Sequence, residues 1–429
     1  MSKRTILEDI NYRNYSNYRK TCSLSGLCGL LLAAGFFFAG CQSDPIEPAD
    51  DSRLTTMELM TATQSFLDVT PWTTRADGDD YQFTFGEGYT GHLPTGYVPY
   101  ESLYPTTTPN NNNIGVFMTP EKTTPSGNFI YQGVDAGVNI WKSNIVVEKD
   151  KSYYIYGFMP RQFAHRAVIF PLPGVNTSGE DKGFKDGAVI RIEEFEALTP
   201  ADVSVIVGLR WATDEEKISG TKNYDVPLGN FKYTGRDEGK NRLFVLLKHI
   251  YAGLHFAATI DPEYNALRSI RVTKVELIAQ NITERINLNV TLTANSTGAD
   301  PLTEVQYEGI GVPAATSTIQ LFPFEDSEED IEIQETTPAS FLGCFVPSSC
   351  ESFIIRCTYD VYDRDTSVNP KGNLIRKGCV AENQINRHII PSFPTLAAGQ
   401  NFTINLRIQP TFLYVLSEPD LDNPTIVVN

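Results

Sequence analysis

Along most of the chain apolar and polar residues alternate with period two, and Gly, Pro and Asn punctuate the runs. That is the pattern of short strands joined by turns. It starts past residue 76, where Phe83 and Phe85 alternate with polar neighbours. Strands are predicted over residues 114–118, 144–147, 153–158, 189–192 and 203–209, and a second group over 243–247, 254–260 and 272–278. Ile286, Leu288, Val290 and Leu292 alternate cleanly with Asn287, Asn289, Thr291 and Thr293. Phe353, Ile355, Cys357, Tyr359 and Val361 share one face, as do Phe402, Ile404, Leu406 and Ile408. No window carries a long amphipathic helix, and only 200–203 and 261–267 read as short turns. Many strands between polar loops predict an all-β protein of sandwich type.

A chain of 429 residues is too long for one ordinary domain. The polar stretch 217–241 is the expected boundary, giving domains over 76–240 and 241–429. Twenty Tyr and 24 Phe fit β structure. The net charge of −17 argues against nucleic acid, whose phosphates need clustered Lys and Arg.

The N-terminus reads as an export signal. Lys3, Arg4, Arg13, Arg19 and Lys20 precede an apolar run over 24–39, too short for comfortable membrane spanning. The run ends in Phe38-Ala39-Gly40-Cys41, which resembles a bacterial lipobox, so residues 1–41 are expected to be a lipoprotein signal peptide with Cys41 the acylated residue. The following Pro-rich acidic segment cannot pack a core. It looks like the signal that sends lipoproteins of Bacteroidetes-type bacteria to the cell surface.

Residues 42–75 form a leader with one apolar patch over 57–69. The leader ends in a polar stretch of the kind that is easily nicked. Arg75-Ala76 suits a trypsin-like protease; Arg53 is the competing site, but cutting there leaves the patch attached.

Recognisable catalytic or metal motifs are absent from the sequence, and an enzyme is not expected; nor is a cofactor or a metal. His249 and His255, six apart, would share one face of a single strand, although hydrogen-bonded structure outweighs a metal site there. Glu193, Glu194, Glu196 and the acidic run 325–332 read as solvated charge. Tyr89, Tyr97, Tyr100 and Tyr104 crowd one loop region and, if exposed, would stack on sugar rings. Of seven Cys, four lie late: Cys344, Cys350, Cys357 and Cys379. At least one bridge is expected in an oxidising compartment, with Cys357 the alternative buried free thiol. At the C-terminus Thr411, Phe412, Leu413, Tyr414, Val415 and Leu416 are apolar on both faces and need cover on both sides. They read either as a final strand of their own domain or as a strand donated to another copy.

Taken in order, several of these features resemble those of Bacteroidales fimbrillins, the subunits of surface pili. They are the lipobox at Cys41, the leader ending at Arg75-Ala76 and Ile-Gly-Val-Phe-Met-Thr-Pro at 114–120. The rest are Leu-Lys-His-Ile-Tyr-Ala-Gly-Leu-His-Phe-Ala at 247–257, Ile-Arg-Val-Thr-Lys-Val-Glu-Leu at 270–277 and Ala-Gly-Gln-Asn-Phe-Thr-Ile-Asn-Leu at 398–406. The resemblance implies two transthyretin-like Greek-key β-sandwich domains in tandem. It implies export as an outer-membrane lipoprotein, cleavage after Arg75 that removes the leader strand, and assembly with other fimbrial subunits. In that scheme 411–428 is the donor strand, and the fibre serves adhesion to a host glycan or protein. The alternatives are a lipid-retaining fimbrial anchor and a non-polymerising glycan-binding surface lipoprotein.

Overall fold

The structure is a computed structural model. It describes residues 54–428 except 65–66, 69–95, 100–111, 125–126, 136–137, 219–224, 296, 324–329, 348, 391–393 and 413–418. The chain opens with β1 (Leu54–Gln64), β2 (Leu67–Asp68), β3 (Tyr97–Pro99), β4 (Ile114–Thr119), β5 (Gly127–Asp135), β6 (Val138–Glu148) and β7 (Ser152–Met159). After a 3-10 turn at Arg161–Arg166 come β8 (Ala167–Pro171), β9 (Gly187–Glu196), β10 (Leu198–Thr199) and β11 (Ser204–Trp211). Helix α1 (Asp214–Ile218) precedes β12 (Lys232–Thr234), β13 (Arg242–His249) and β14 (Ala252–Ile260). Helix α2 (Pro262–Asn265) precedes β15 (Arg268–Ile282), β16 (Arg285–Thr293), β17 (Leu302–Ile310), β18 (Ala314–Phe322) and β19 (Ile331–Glu332). The last strands are β20 (Ala339–Phe345), β21 (Phe353–Asp363), β22 (Leu374–Ile385), β23 (Gln400–Phe412) and β24 (Pro419–Val428). The all-β class is as read from the pattern.

Four sheets result. In the first, strands run β11–β13–β1–β6–β5–β4–β7, and a short pairing of Ser204 with Met159 returns β7 to β11. Seven strands therefore close a ring, with β3 added on β1 and β12 on β7. One core cluster is drawn entirely from this sheet and includes Met57, Leu59, Val116, Trp141, Ile155 and Val245. Strand β13 explains how the ring joins the rest. Leu243, Val245 and Leu247 belong to that cluster, whereas Phe244 and Leu246 belong to the larger second one. A strand buried on both faces needs a continuous apolar run, which 243–247 supplies.

The second sheet runs β10–β20–β14–β23, with β2 and β24 both on β23. The third runs β18–β15–β21–β22 with β19 on β15, and the fourth runs β17–β16–β9–β8. These pairings join early and late segments: β9 lies against β16 from Gly187 to Glu196, and β10 lies against β20.

The sheets do not part at 240/241. β13 starts at Arg242 yet sits inside the ring, paired to β1 and β11. Within the polar stretch 217–241, expected as the domain boundary, residues 232–234 are stitched to the ring. β12 pairs with β7, and Asn241 is buried. Its amide accepts from Tyr233 Oη at 2.8 Å and donates to the Arg236 carbonyl at 2.9 Å. Polarity there satisfies backbone groups within a packed loop and does not mark chain freedom. Gly208 serves the same packing: β11 bulges there, and a Cβ would stand 2.4 Å from the Pro227 carbonyl oxygen.

Three further expectations change. His249 closes β13 and His255 lies in β14, so they belong to strands of different sheets and share no face. The four late Cys are free thiols. Cys357 stands opposite Ala381 and Cys379 opposite Tyr359, which makes the two a diagonal pair. Diagonal neighbours lie about 7–8 Å apart, too far for a bridge without backbone movement. Tyr97 is buried where β3 meets β1, so its ring offers no open face to a sugar. Tyr89, Tyr100 and Tyr104 lie outside the described residues. Of the two expected turns, 261–267 holds α2, capped by Asp261.

Candidate functional site

Of the leader patch over 57–69, residues 57–64 lie in β1, an interior strand of the ring, and Leu67–Asp68 form β2 on β23 of the second sheet. β1 runs antiparallel to β6, with Leu54 opposite Glu148 and Met60 opposite Ile140, and parallel to β13, with Glu58 opposite Arg242 and Thr63 opposite Leu247. Met57 and Leu59 are fully buried in the ring's cluster, and Met60 faces the larger cluster. Each such side chain gains about 1.5–3 kcal/mol from leaving water. Removing β1 would leave the facing edges of β6 and β13 without their partner and open both clusters.

Two polar contacts fix this strand's register. At one end the Arg242 guanidinium donates from Nε to Glu58 Oε2 at 3.0 Å and from Nη1 to Asp214 Oδ1 at 3.1 Å. The Arg242 side chain is only 11% exposed, so this ion pair is shielded more than a surface one. At the other end His249, Asp202, Ser204 and Thr63 form a buried cluster. His249 Nδ1 lies 2.7 Å from Asp202 Oδ1 and 3.1 Å from Ser204 Oγ. Ser204 Oγ donates to Asp202 at 2.9 Å. A carboxylate only accepts, so Nδ1 donates to Asp202; Nε2 meets Thr63 Oγ1 at 3.3 Å, and the same hydroxyl reaches the Leu247 carbonyl at 3.5 Å.

The order Thr–His–Asp imitates a hydrolytic triad. The imitation ends there, because a nucleophile must be reachable by substrate, and Thr63 is buried within a strand paired on both sides. What the cluster can do chemically is recognise a hydroxyl on the strand beside β13.

Other sequence-predicted positions are scattered. Cys41, Arg53, Arg75 and Ala76 lie outside the described residues. Thr411 and Phe412 end β23, whereas Leu413, Tyr414, Val415 and Leu416 lie outside the described residues. Beyond them the tail returns as β24, antiparallel to β23 with Leu406 opposite Val428. Glu193, Glu194 and Glu196 pair with Arg191, Arg166 and Arg285 near the surface. Asp330 and Glu332 bind Arg271, with Lys371 also on Asp330. Among the described residues no three His, Cys, Asp or Glu are grouped to hold a metal ion.

Sequence reasoning missed Glu58, Thr63, Arg242, Asp202 and Ser204. The first two left only a faint signal, being two of several polar residues within the leader patch. Arg242 left another, as the charge that opens an apolar strand.

Neither a family model nor a curated protein matches this chain. Solved structures do, at low identity. One is a candidate cell adhesion protein from Bacteroides fragilis, 8% identical with a TM-score of 0.37, covering 87% of this chain and 97% of that one. Another is a fimbrial protein from Bacteroides vulgatus, 12% identical with a TM-score of 0.24, covering 74% and 91%. The fimbrial anchor protein Mfa2 from Porphyromonas gingivalis is 10% identical with a TM-score of 0.19, covering 87% and 97%. At these scores the likeness says nothing about particular residues.

Proposed function

We propose that the protein is a structural subunit, stalk or tip, of a cell-surface fimbria. It is exported as a lipoprotein through Cys41, and a trypsin-like protease cuts between Arg75 and Ala76. The cut releases β1, and an extended strand from another subunit takes its place; the tail over 411–428 is the strand this subunit gives in turn. The protein acts by assembly and adhesion, not by turnover, and uses no cofactor. Division into an N-terminal part ending near β13 and a C-terminal part is part of the same proposal.

One observation carries the reading. The strand that the cut would release is not an appendage but an interior member of a closed ring, bonded on both sides. Its loss leaves two unpaired strand edges lined with apolar side chains, and such edges recruit another strand.

The test is to treat the full chain with a trypsin-like protease and read the new N-terminus and the size of the product. The expected result is a cut before Ala76, followed by ladders of oligomers that survive mild detergent. A resistant monomer, or a cut only after Arg53 that keeps β1 in place, would overturn it. A second reading has its own observation, since β24 pairs with β23 of its own chain. It makes the protein a lipid-retaining anchor that accepts a strand and gives none. Deleting 411–429 separates the two, because a donor needs that tail to lengthen the ladder and an anchor does not.

A further inference from the structure

We infer that the slot occupied by β1 selects its occupant by a two-point code: an acidic residue opposite Arg242 and a Ser or Thr five positions further on, beside His249, on a strand parallel to β13. The inference rests on the strand-exchange reading above and goes beyond it by stating which strands fit.

The code follows from the contacts on β13. Arg242 holds Glu58 at the start of the paired stretch, and His249 meets the Thr63 hydroxyl near its end. Between them the occupant is apolar or small, as Leu59, Met60, Thr61 and Ala62 are, with Leu59 and Met60 buried. An apolar side chain at the Thr63 position would remove the hydroxyl that meets His249 Nε2 at 3.3 Å in a buried site. A neutral residue at the Glu58 position would leave the shielded guanidinium with Asp214 but without the acid that the register supplies. Each mismatch costs the desolvation of a buried polar group.

The code has a consequence for the partner. In the C-terminal tail an acid is followed five positions later by Ser or Thr only at Asp420 and Thr425. That pair frames Leu421, Asp422, Asn423 and Pro424, so an inserted tail would set Asp422 at the buried Met60 position and lose the ladder donor that proline lacks. A second copy's tail is therefore a weaker occupant than a strand that carries an acid and a hydroxyl around an apolar stretch.

The experiment uses the full chain nicked by a trypsin-like protease and a fluorescent peptide of residues 54–68, whose incorporation is measured by gel filtration in competition with unlabelled peptides. The unmodified peptide should enter. Glu58→Gln should weaken entry about tenfold and Thr63→Val roughly fivefold, while Thr63→Ser should restore it. Against a nicked Arg242→Gln chain, the Glu58→Gln peptide should lose nothing further. A tail peptide of residues 411–428 should compete at least about tenfold more weakly than 54–68. If the unmodified peptide enters and its variants or the tail enter equally well, the code is overturned while strand exchange stands. If no peptide enters, strand exchange itself fails. The code is then judged in the uncut chain, where Glu58→Gln and Arg242→Gln must be non-additive in urea unfolding; additive losses overturn it.

Discussion

The first and last described strands of this protein are held in opposite ways. β1 has a neighbour on each side, closes a ring, and sends Met57 and Leu59 into one core cluster and Met60 into another. β24 pairs with β23 alone among the described strands. Freeing β24 breaks one ladder, whereas freeing β1 breaks three, to β13, β6 and β3, and opens a core. The comparison teaches that the first described strand is built into the core, whereas the last hangs on a single neighbour.

The largest expected effect tests that contrast directly. Leu59→Ala should cost about 2–5 kcal/mol in urea unfolding, because it leaves a cavity in the closed ring. Ile426→Ala, in the edge strand, should cost clearly less, since an edge relaxes into the space more readily. Equal losses would break the comparison.

Next comes the polar fixing of β1. Asp202→Ala should destabilise by about 1–3 kcal/mol, because His249 Nδ1 loses its carboxylate partner in a buried site. Thr63→Val should cost less than Asp202→Ala but be coupled to it, as both act on one imidazole. Additive losses would mean that the cluster does not act as a unit.

A smaller effect belongs to the third sheet. Burial pushes the Asp330 carboxyl up, but hydrogen bonds from Lys371 and Arg271 outweigh it and leave the group below the usual carboxylate range. A carboxylate whose folded pKa lies below its unfolded value stabilises the fold above the unfolded value, about 3.9 for Asp. That contribution is lost as pH falls through the folded value. Asp330→Asn should therefore lower stability at neutral pH by about 1 kcal/mol and flatten the fall of stability below about pH 4. Unchanged acid unfolding would remove Asp330 from the account.

Much of the fold was legible because alternation is a local signal. Ile286 to Leu292 and Phe402 to Ile408 could be read as strands from their own residues. β17, β18 and β22 could not, because most of their residues are exposed or half-buried and no continuous apolar face marks them. The partnership of β1 with β13 was hidden for another reason. Its two strands lie far apart in sequence, and nothing in either dictates the parallel register that sets Glu58 against Arg242. His249 was visible as a residue, but its meaning depends on Asp202 and Thr63, which only the closed ring brings to it.

The smallest effect needs no mutation and examines the back of the molecule by its thiols. Cys357 faces the core from β21, and burial pushes its thiol up to about 12. Cys344 is fully buried in β20, and its thiol is likewise pushed well above the ordinary value, chiefly by burial. Cys379, on the outermost strand of the third sheet, is half-buried and less desolvated. Since the thiolate is the reactive form, iodoacetamide at mild alkaline pH should label Cys379 first and reach Cys344 and Cys357 only with unfolding. Site-by-site mass spectrometry would read the order. Early labelling of Cys344 would mean that β20 opens as easily as an edge, and the loosely held part of the protein would then extend well beyond β24.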